Sequence, residues 1–178
     1  MPEALDPVPL LKHLHEHGVE HIVIGGVAVS AHGHVRTSKD LDVVPNPVHE
    51  NLERLAAALA EINAVNEEAS DFDPEELPMS STRVEDLSQG GNFCLATDLG
   101  RLDIFQWVKG IEADDLYAAL HPEALAGNVD GIPVRVCGLE HLLAMKRAAG
   151  RPQDLEDLKR LGEGADTHEP VTEDTPGG

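Results

Sequence analysis

The chain has 178 residues, 41% of them hydrophobic but only 3% aromatic, with 33 acidic against 13 basic side chains and a formal net charge of −20. That length suits one domain with a core of Leu, Val, Ile and Ala, and the charge argues against a protein that coats nucleic acid, because phosphate binding rests on Lys and Arg. No stretch of roughly 19 apolar residues is present to span a bilayer, Glu3 and Asp6 break the plan of a secretory leader, and Cys94 and Cys137 are too few for a disulfide framework, so a reducing cytoplasm is the expected setting.

Residues 8–17 place Leu10, Leu11 and Leu14 at helical spacing, and the helix should stop at Gly18. Residues 21–24 form a short β-branched run, read as a buried strand ending at Gly25-Gly26, and 27–31 start a short helix there. A second strand over 40–44 is closed by Pro45 and Pro47. It is followed by an amphipathic helix over 49–62, with Leu52, Leu55, Leu59 and Ile62 on one side. From 66 to 89, eight acids stand against one base, Arg83, with Pro74 and Pro78 among them, which reads as a solvated, partly irregular connection. Residues 92–97 and 101–108 flank Asp98-Leu99-Gly100 as a β-hairpin. Another extended stretch, 128–136, bends at Asp130-Gly131, and helices over 139–149 and 152–161 close the pattern. The segment 162–178 holds five acids, no base and two prolines without apolar periodicity, and reads as a disordered acidic tail. The expected organisation is one α/β or α+β domain over 1–161, a mixed central sheet flanked by helices.

Three acids stand out against this background. Alternation along a strand puts Asp40 and Asp42 on one face, roughly 7 Å apart at their Cα atoms, while Leu41 and Val43 face the core. Side-by-side carboxylates repel, so a fold that keeps both usually has a cation between them. Asp103 is the lone acid in the apolar run Leu102-Asp103-Ile104-Phe105. Three such carboxylates on adjacent strands could hold two Mg²⁺ ions about 4 Å apart, an arrangement suited to in-line phosphoryl or nucleotidyl transfer. Gly25-Gly26, between a strand and a helix start, lets the backbone approach a phosphate, and Ser30 lies on the same short helix.

Gly25-Gly26, a dozen or so residues and then Asp40-Leu41-Asp42-Val43 together resemble the signature of the polymerase-β-like nucleotidyltransferase superfamily, and Leu102-Asp103-Ile104 resembles its third-carboxylate strand. The string IGGVAVSAHGHVRTSKDLDVV is similar to that of the small bacterial members, the abortive-infection-type toxins and minimal nucleotidyltransferases. LEHLLAMKRAAGRPQDLEDLKRL resembles their closing motif, so the likeness covers roughly 20–161. The resemblance implies the polymerase-β-like fold and an enzyme that moves a nucleoside monophosphate from a nucleoside triphosphate to an acceptor hydroxyl. It implies Mg²⁺, with Mn²⁺ as a substitute, held by Asp40, Asp42 and Asp103. Gly25, Gly26 and Ser30 would line the triphosphate, Lys146 and Arg36 would neutralise phosphate charge, and Asp103 would take the hydroxyl proton. Asp154 and Asp157 belong to the closing motif, with catalytic and structural roles both open.

For the acceptor, the resemblance favours RNA, a tRNA end in particular, with the chain as the toxin of a toxin–antitoxin pair and a cognate antitoxin as partner. Lys146, Arg147, Arg151, Lys159 and Arg160 cluster into a strip that could seat RNA, unless they pair with Glu156 and Asp157 on their own helices. The alternatives are a small-molecule, antibiotic-type nucleotidyltransferase and a non-catalytic relative that binds nucleotide or protein. His13 and His17 are one helical turn apart, with His15 and His21 nearby, yet no Cys or Asp at suitable spacing completes a zinc or nickel site, and a solvated helix face is expected. His32 and His34 flank Gly33 beside the proposed site, as loop residues or as contacts to the base or acceptor. Phe105 and Trp107 are expected in the core, and Cys94 and Cys137 as buried packing residues.

Overall fold

A computed structural model of the chain describes residues 3–67 and 79–165; part of the acidic connection, 68–78, and most of the acidic tail, 166–178, lie outside the described residues. Leu10, Leu11 and Leu14 bury one face of α1 (Val8–Glu16), and the chain turns at Gly18 into β1 (His21–Ile24). The short helix α2 begins directly at the glycine pair (Gly25–Ala31), and β2 (Asp40–Pro45) and α3 (His49–Glu61) follow. The start of α3 is tied down by Asn51, fully buried, whose amide accepts from Glu20 N at 2.7 Å and donates to the carbonyls of Glu20 and Asn46. Next come β3 (Val65–Asn66), a one-turn helix α4 (Val84–Leu87), and the hairpin β4 (Phe93–Thr97) and β5 (Gly100–Ile104).

A five-residue helix α5 (Leu116–Leu120) has its N-terminus capped by Asp115, whose carboxylate accepts from Ala118 N at 2.9 Å. The extended stretch expected over 128–136 is instead a two-stranded hairpin that begins earlier, β6 (Leu125–Val129) and β7 (Ile132–Val136). Asp130 and Gly131 both take positive φ, the twist a two-residue hairpin turn requires. Helices α6 (Leu139–Ala149) and α7 (Pro152–Ala165) complete the chain, α7 running four residues beyond the expected end at Leu161.

Among the described residues the strands form one seven-stranded sheet in the order β3-β4-β5-β2-β1-β7-β6. Two parallel pairings, β2 with β5 and β1 with β7, sit in an otherwise antiparallel sheet, which makes it the mixed sheet expected. The largest fully buried side chains are all Leu or Ile, so the aliphatic core expected from the scarcity of aromatics is present. No helix of the described residues is long and apolar enough to cross a membrane.

Candidate active site

The register of the three inner strands brings the acids together. Ile24 at the end of β1 lies opposite Asp42, and Asp42 lies directly opposite Asp103 across the parallel β2–β5 pair. Side chains two residues apart share a face, so Asp40 joins them, and one carboxylate oxygen from each of the three lies within 4.8 Å of the others. They open onto a cavity of about 500 Å³ at the end of β1, whose wall includes Gly25, Gly26, Arg36, Ser38, Lys39, Trp107 and Arg151.

No ion pair of the described residues reaches any of the three acids. Burial, then the charges of Asp40 and Asp103, push Asp42 up to about 7, against the pull of Lys146 and Arg151. Burial and the Asp40 charge raise Asp103 to about 6; Arg101 and a hydrogen bond from the Cys94 thiol work the other way. One Asp103 oxygen, Oδ1, is buried without a hydrogen-bond partner. A buried acceptor left open beside two further carboxylates fits a hard divalent cation such as Mg²⁺, which binds oxygen donors.

The glycine pair is built around this cluster. Gly25 has φ +67°, and a Cβ there would run into the Asp42 carboxylate. A Cβ on Gly26 would meet Ser38 Oγ at 2.8 Å and Arg36 at 3.3 Å. The pair therefore makes room for the Asp42 carboxylate and for the loop between α2 and β2 as much as for any phosphate. Ser38 Oγ donates to the Asp40 carbonyl at 2.8 Å and braces the start of β2.

The other expected residues divide. Arg36 lines the cavity, its Nη1 donates to Asp157 at 2.5 Å, and its buried Nε has no partner. Ser30 does not line the cavity: its hydroxyl donates to the Arg36 carbonyl at 3.1 Å and shapes the loop that carries Arg36. Lys146 reaches the wall but is only 5% exposed, held at 2.9 Å by both Asp154 and Asp157. Asp154 also accepts from Arg151 Nε at 2.7 Å, and although burial pushes its carboxyl up, hydrogen bonds from Arg151 and Lys146 hold it below the usual range. Asp157 lies off the cavity wall. Both acids of the closing motif thus act within an ion-pair node that joins α6, α7 and the α2–β2 loop.

That node takes Lys146 out of the expected basic strip and pairs Arg151 with Asp154, and Arg160 pairs with Glu156 at 3.8 Å on the surface; Arg147, Arg151, Lys159 and Arg160 remain exposed. Trp107 is not core: β5 ends at Ile104, and the indole is 57% exposed on the cavity wall next to the half-buried Phe105. Cys94 is exposed and stands opposite Asp103 in the β4–β5 register; Cys137 is buried, and burial pushes its thiol up to about 12. The His32 ring bonds the Cys137 carbonyl at 2.9 Å and is held as a structural loop residue. Sequence reasoning missed Ser38 and Lys39 on the wall, and counted Arg151 in the basic strip rather than there. Their positions next to Asp40 and in the closing motif were the available signal.

No family model matches the chain, and no curated protein matches it. Solved structures do. The candidate nucleotidyltransferase TM1012 from Thermotoga maritima is 16% identical, with 89% of this chain and 95% of that one covered, at a TM-score of 0.53. The antibiotic-resistance factor ANT(2'')-Ia, whose crystal structure holds adenylyl-2''-tobramycin, is 19% identical over 89% of this chain and 87% of that one, also at 0.53. An antigenic nucleotidyltransferase-like protein from Paracoccidioides brasiliensis is 14% identical over 86% of this chain and 72% of that one, at 0.51. The fold is that of the polymerase-β-like nucleotidyltransferases.

Proposed function

We propose that this chain is a nucleotidyltransferase, moving a nucleoside monophosphate from a nucleoside triphosphate to an acceptor hydroxyl, with Asp40, Asp42 and Asp103 as its metal ligands. The observation that carries this reading is the convergence of three carboxylates without an ion-pair partner among the described residues, one with a buried open oxygen, in a cavity of ligand size on this fold. Bound there, Mg²⁺ would supply charge stabilisation to the triphosphate and the attacking oxygen, and Mn²⁺ would substitute for it.

The chain's own residues do the rest. Arg36, through its open Nε, and the exposed Lys39 and Arg151 supply positive charge for the phosphates. Gly25 and Gly26 keep the wall low enough for the triphosphate to lie against the strand end. Asp103 would receive the acceptor's proton as the oxygen bonds to the α-phosphorus and the bond to pyrophosphate breaks. Asp157 positions Arg36 and Asp154 positions Arg151, with Lys146 held between the two acids at the cavity wall.

For the acceptor, we favour a small hydroxyl compound over RNA. Of the five cations expected to seat RNA, Lys146 is buried in ion pairs with acids of α7, Arg160 pairs with Glu156, and Arg151 faces the cavity, where it serves the triphosphate. The RNA-modifying toxin reading, with its antitoxin, rests on motif resemblance. One experiment separates them: the full chain is incubated with each α-labelled nucleoside triphosphate and Mg²⁺, once with total RNA and once with a panel of polyhydroxylated small molecules. Label in a small molecule supports the reading here, label in RNA transfers it to the toxin class, and label in neither favours a non-catalytic nucleotide- or protein-binding role. Asp42→Asn is the control that ties label to the site.

A further inference from the structure

α1 and α3 give no residue to the cavity wall, yet they bring together a second set of metal-binding side chains. His13 and His17, expected on a solvated face, are both half-buried, with ring centroids 4.3 Å apart. The His13 ring bonds the Ala58 carbonyl through Nε2 at 2.8 Å, and the His17 ring bonds the His13 carbonyl through Nδ1 at 2.9 Å. A carbonyl oxygen only accepts, so those two nitrogens carry the protons. Nδ1 of His13 then has a lone pair in the neutral ring, whereas Nε2 of His17, 3.1 Å from the Glu61 carboxylate, carries a proton in the metal-free chain that a bound cation would displace. This is how ligating imidazoles are held: one nitrogen donates to a backbone carbonyl, which fixes the tautomer, and the other faces the metal. The third donor is one that sequence spacing could not supply. Glu61, 44 residues further along, sets Oε2 at 3.1 Å from His17 Nε2, and ligand atoms of all three residues lie within 4.8 Å of one another.

Two imidazoles and one carboxylate differ in kind from the all-oxygen cluster at the cavity. Nitrogen donors select borderline transition ions, whereas carboxylates alone select Mg²⁺. We propose that His13, His17 and Glu61 form a second metal site, for a divalent transition ion of the zinc class, which clamps α1 to α3 with water completing the shell.

The test uses the full chain, stripped with chelator and titrated calorimetrically with Zn²⁺ in excess Mg²⁺, so that the cavity carboxylates are already occupied. One equivalent of Zn²⁺ should bind to the wild type and equally to Asp42→Asn. Glu61→Gln, at a largely exposed side chain, and His17→Ala should each weaken it at least tenfold, the scale on which even outer-shell changes act. Co²⁺ should give tetrahedral visible absorption in the wild type that Glu61→Gln abolishes, and Zn²⁺ should raise the melting temperature of the wild type alone among these two. Zn²⁺ affinity unchanged in both variants would overturn the site, leaving a His17–Glu61 ion pair. Binding lost in Asp42→Asn would overturn it too, because the metal would then belong to the cavity.

Discussion

Asp154 and Asp157 are buried against Lys146, with Arg151 also paired to Asp154 and Arg36 to Asp157, whereas Asp40, Asp42 and Asp103 are crowded at strand ends with no ion-pair partner among the described residues. The first group is neutralised by the chain itself; a carboxylate removed there would strand a buried cation. The second keeps two carboxyls raised toward neutrality and one oxygen open. Acids of one type, on adjoining elements, are thus assigned to architecture or to chemistry by whether the fold supplies their counter-charge.

Removing a member of the uncompensated group should cost activity and spare the fold. Asp42→Asn is expected to lower Mg²⁺-dependent nucleotide transfer by at least about a hundredfold, the scale of losing one charge-stabilising group. Its melting temperature should hold or rise, because a repelling charge is gone. Transfer unchanged in a folded variant would remove the triad from the proposed site. The compensated group should invert that outcome: Asp157→Ala is expected to destabilise by about 3 kcal/mol in urea, the lower end for breaking a buried pair because Lys146 keeps Asp154.

A subtler separation comes from pH. Asp42 and Asp103 titrate higher in the folded chain than unfolded, so the folded state binds more protons between about pH 4 and 7, and their stabilising effect is fully present below pH 4 and lost as pH rises through about 6 and 7. Metal-free protein should therefore lose melting temperature on that climb from these two groups. Added Mg²⁺ should restore more at pH 8 than at pH 5; an equal gain at both would separate metal binding from the triad. The smallest effect belongs to Ser30→Ala, which removes one hydrogen bond to the Arg36 carbonyl and should cost about 1 kcal/mol. Nucleotide affinity should fall only through a loosened Arg36, so a loss as large as that of Asp42→Asn would return Ser30 to the triphosphate.

Elements with a full period of apolar residues were legible: β1, β2, α3 and α6 follow directly from Ile22-Val23-Ile24, Leu41-Val43, the Leu52–Leu55–Leu59 stripe and Leu142 with Met145. The short elements were not, since α4 and α5 are one turn each and are held by neighbours, although Asp115 ahead of α5 was a readable cap. The acid triad was legible because strand alternation is local and the motif is specific. Side-chain commitments across distant segments were not. Lys146 looks solvent-facing until α7 folds back on it, and Glu61 is invisible as a partner to His17 until α3 packs on α1. Cys94 was misread against available signal, because alternation between buried Phe93 and Leu95 already turns it to the Asp103 side.

The parallel register that sets Asp42 beside Asp103 would also let a bound cation proofread strand alignment. Sixty-one positions separate the two residues, so their meeting depends on a non-local pairing that forms only when the inner sheet is assembled. A slip of one residue in β5 would turn Asp103 to the other face and offer Leu102 in its place. A cation gathered by all three carboxylates would bind the aligned sheet and not the slipped one, and by mass action would draw the ensemble toward the correct topology.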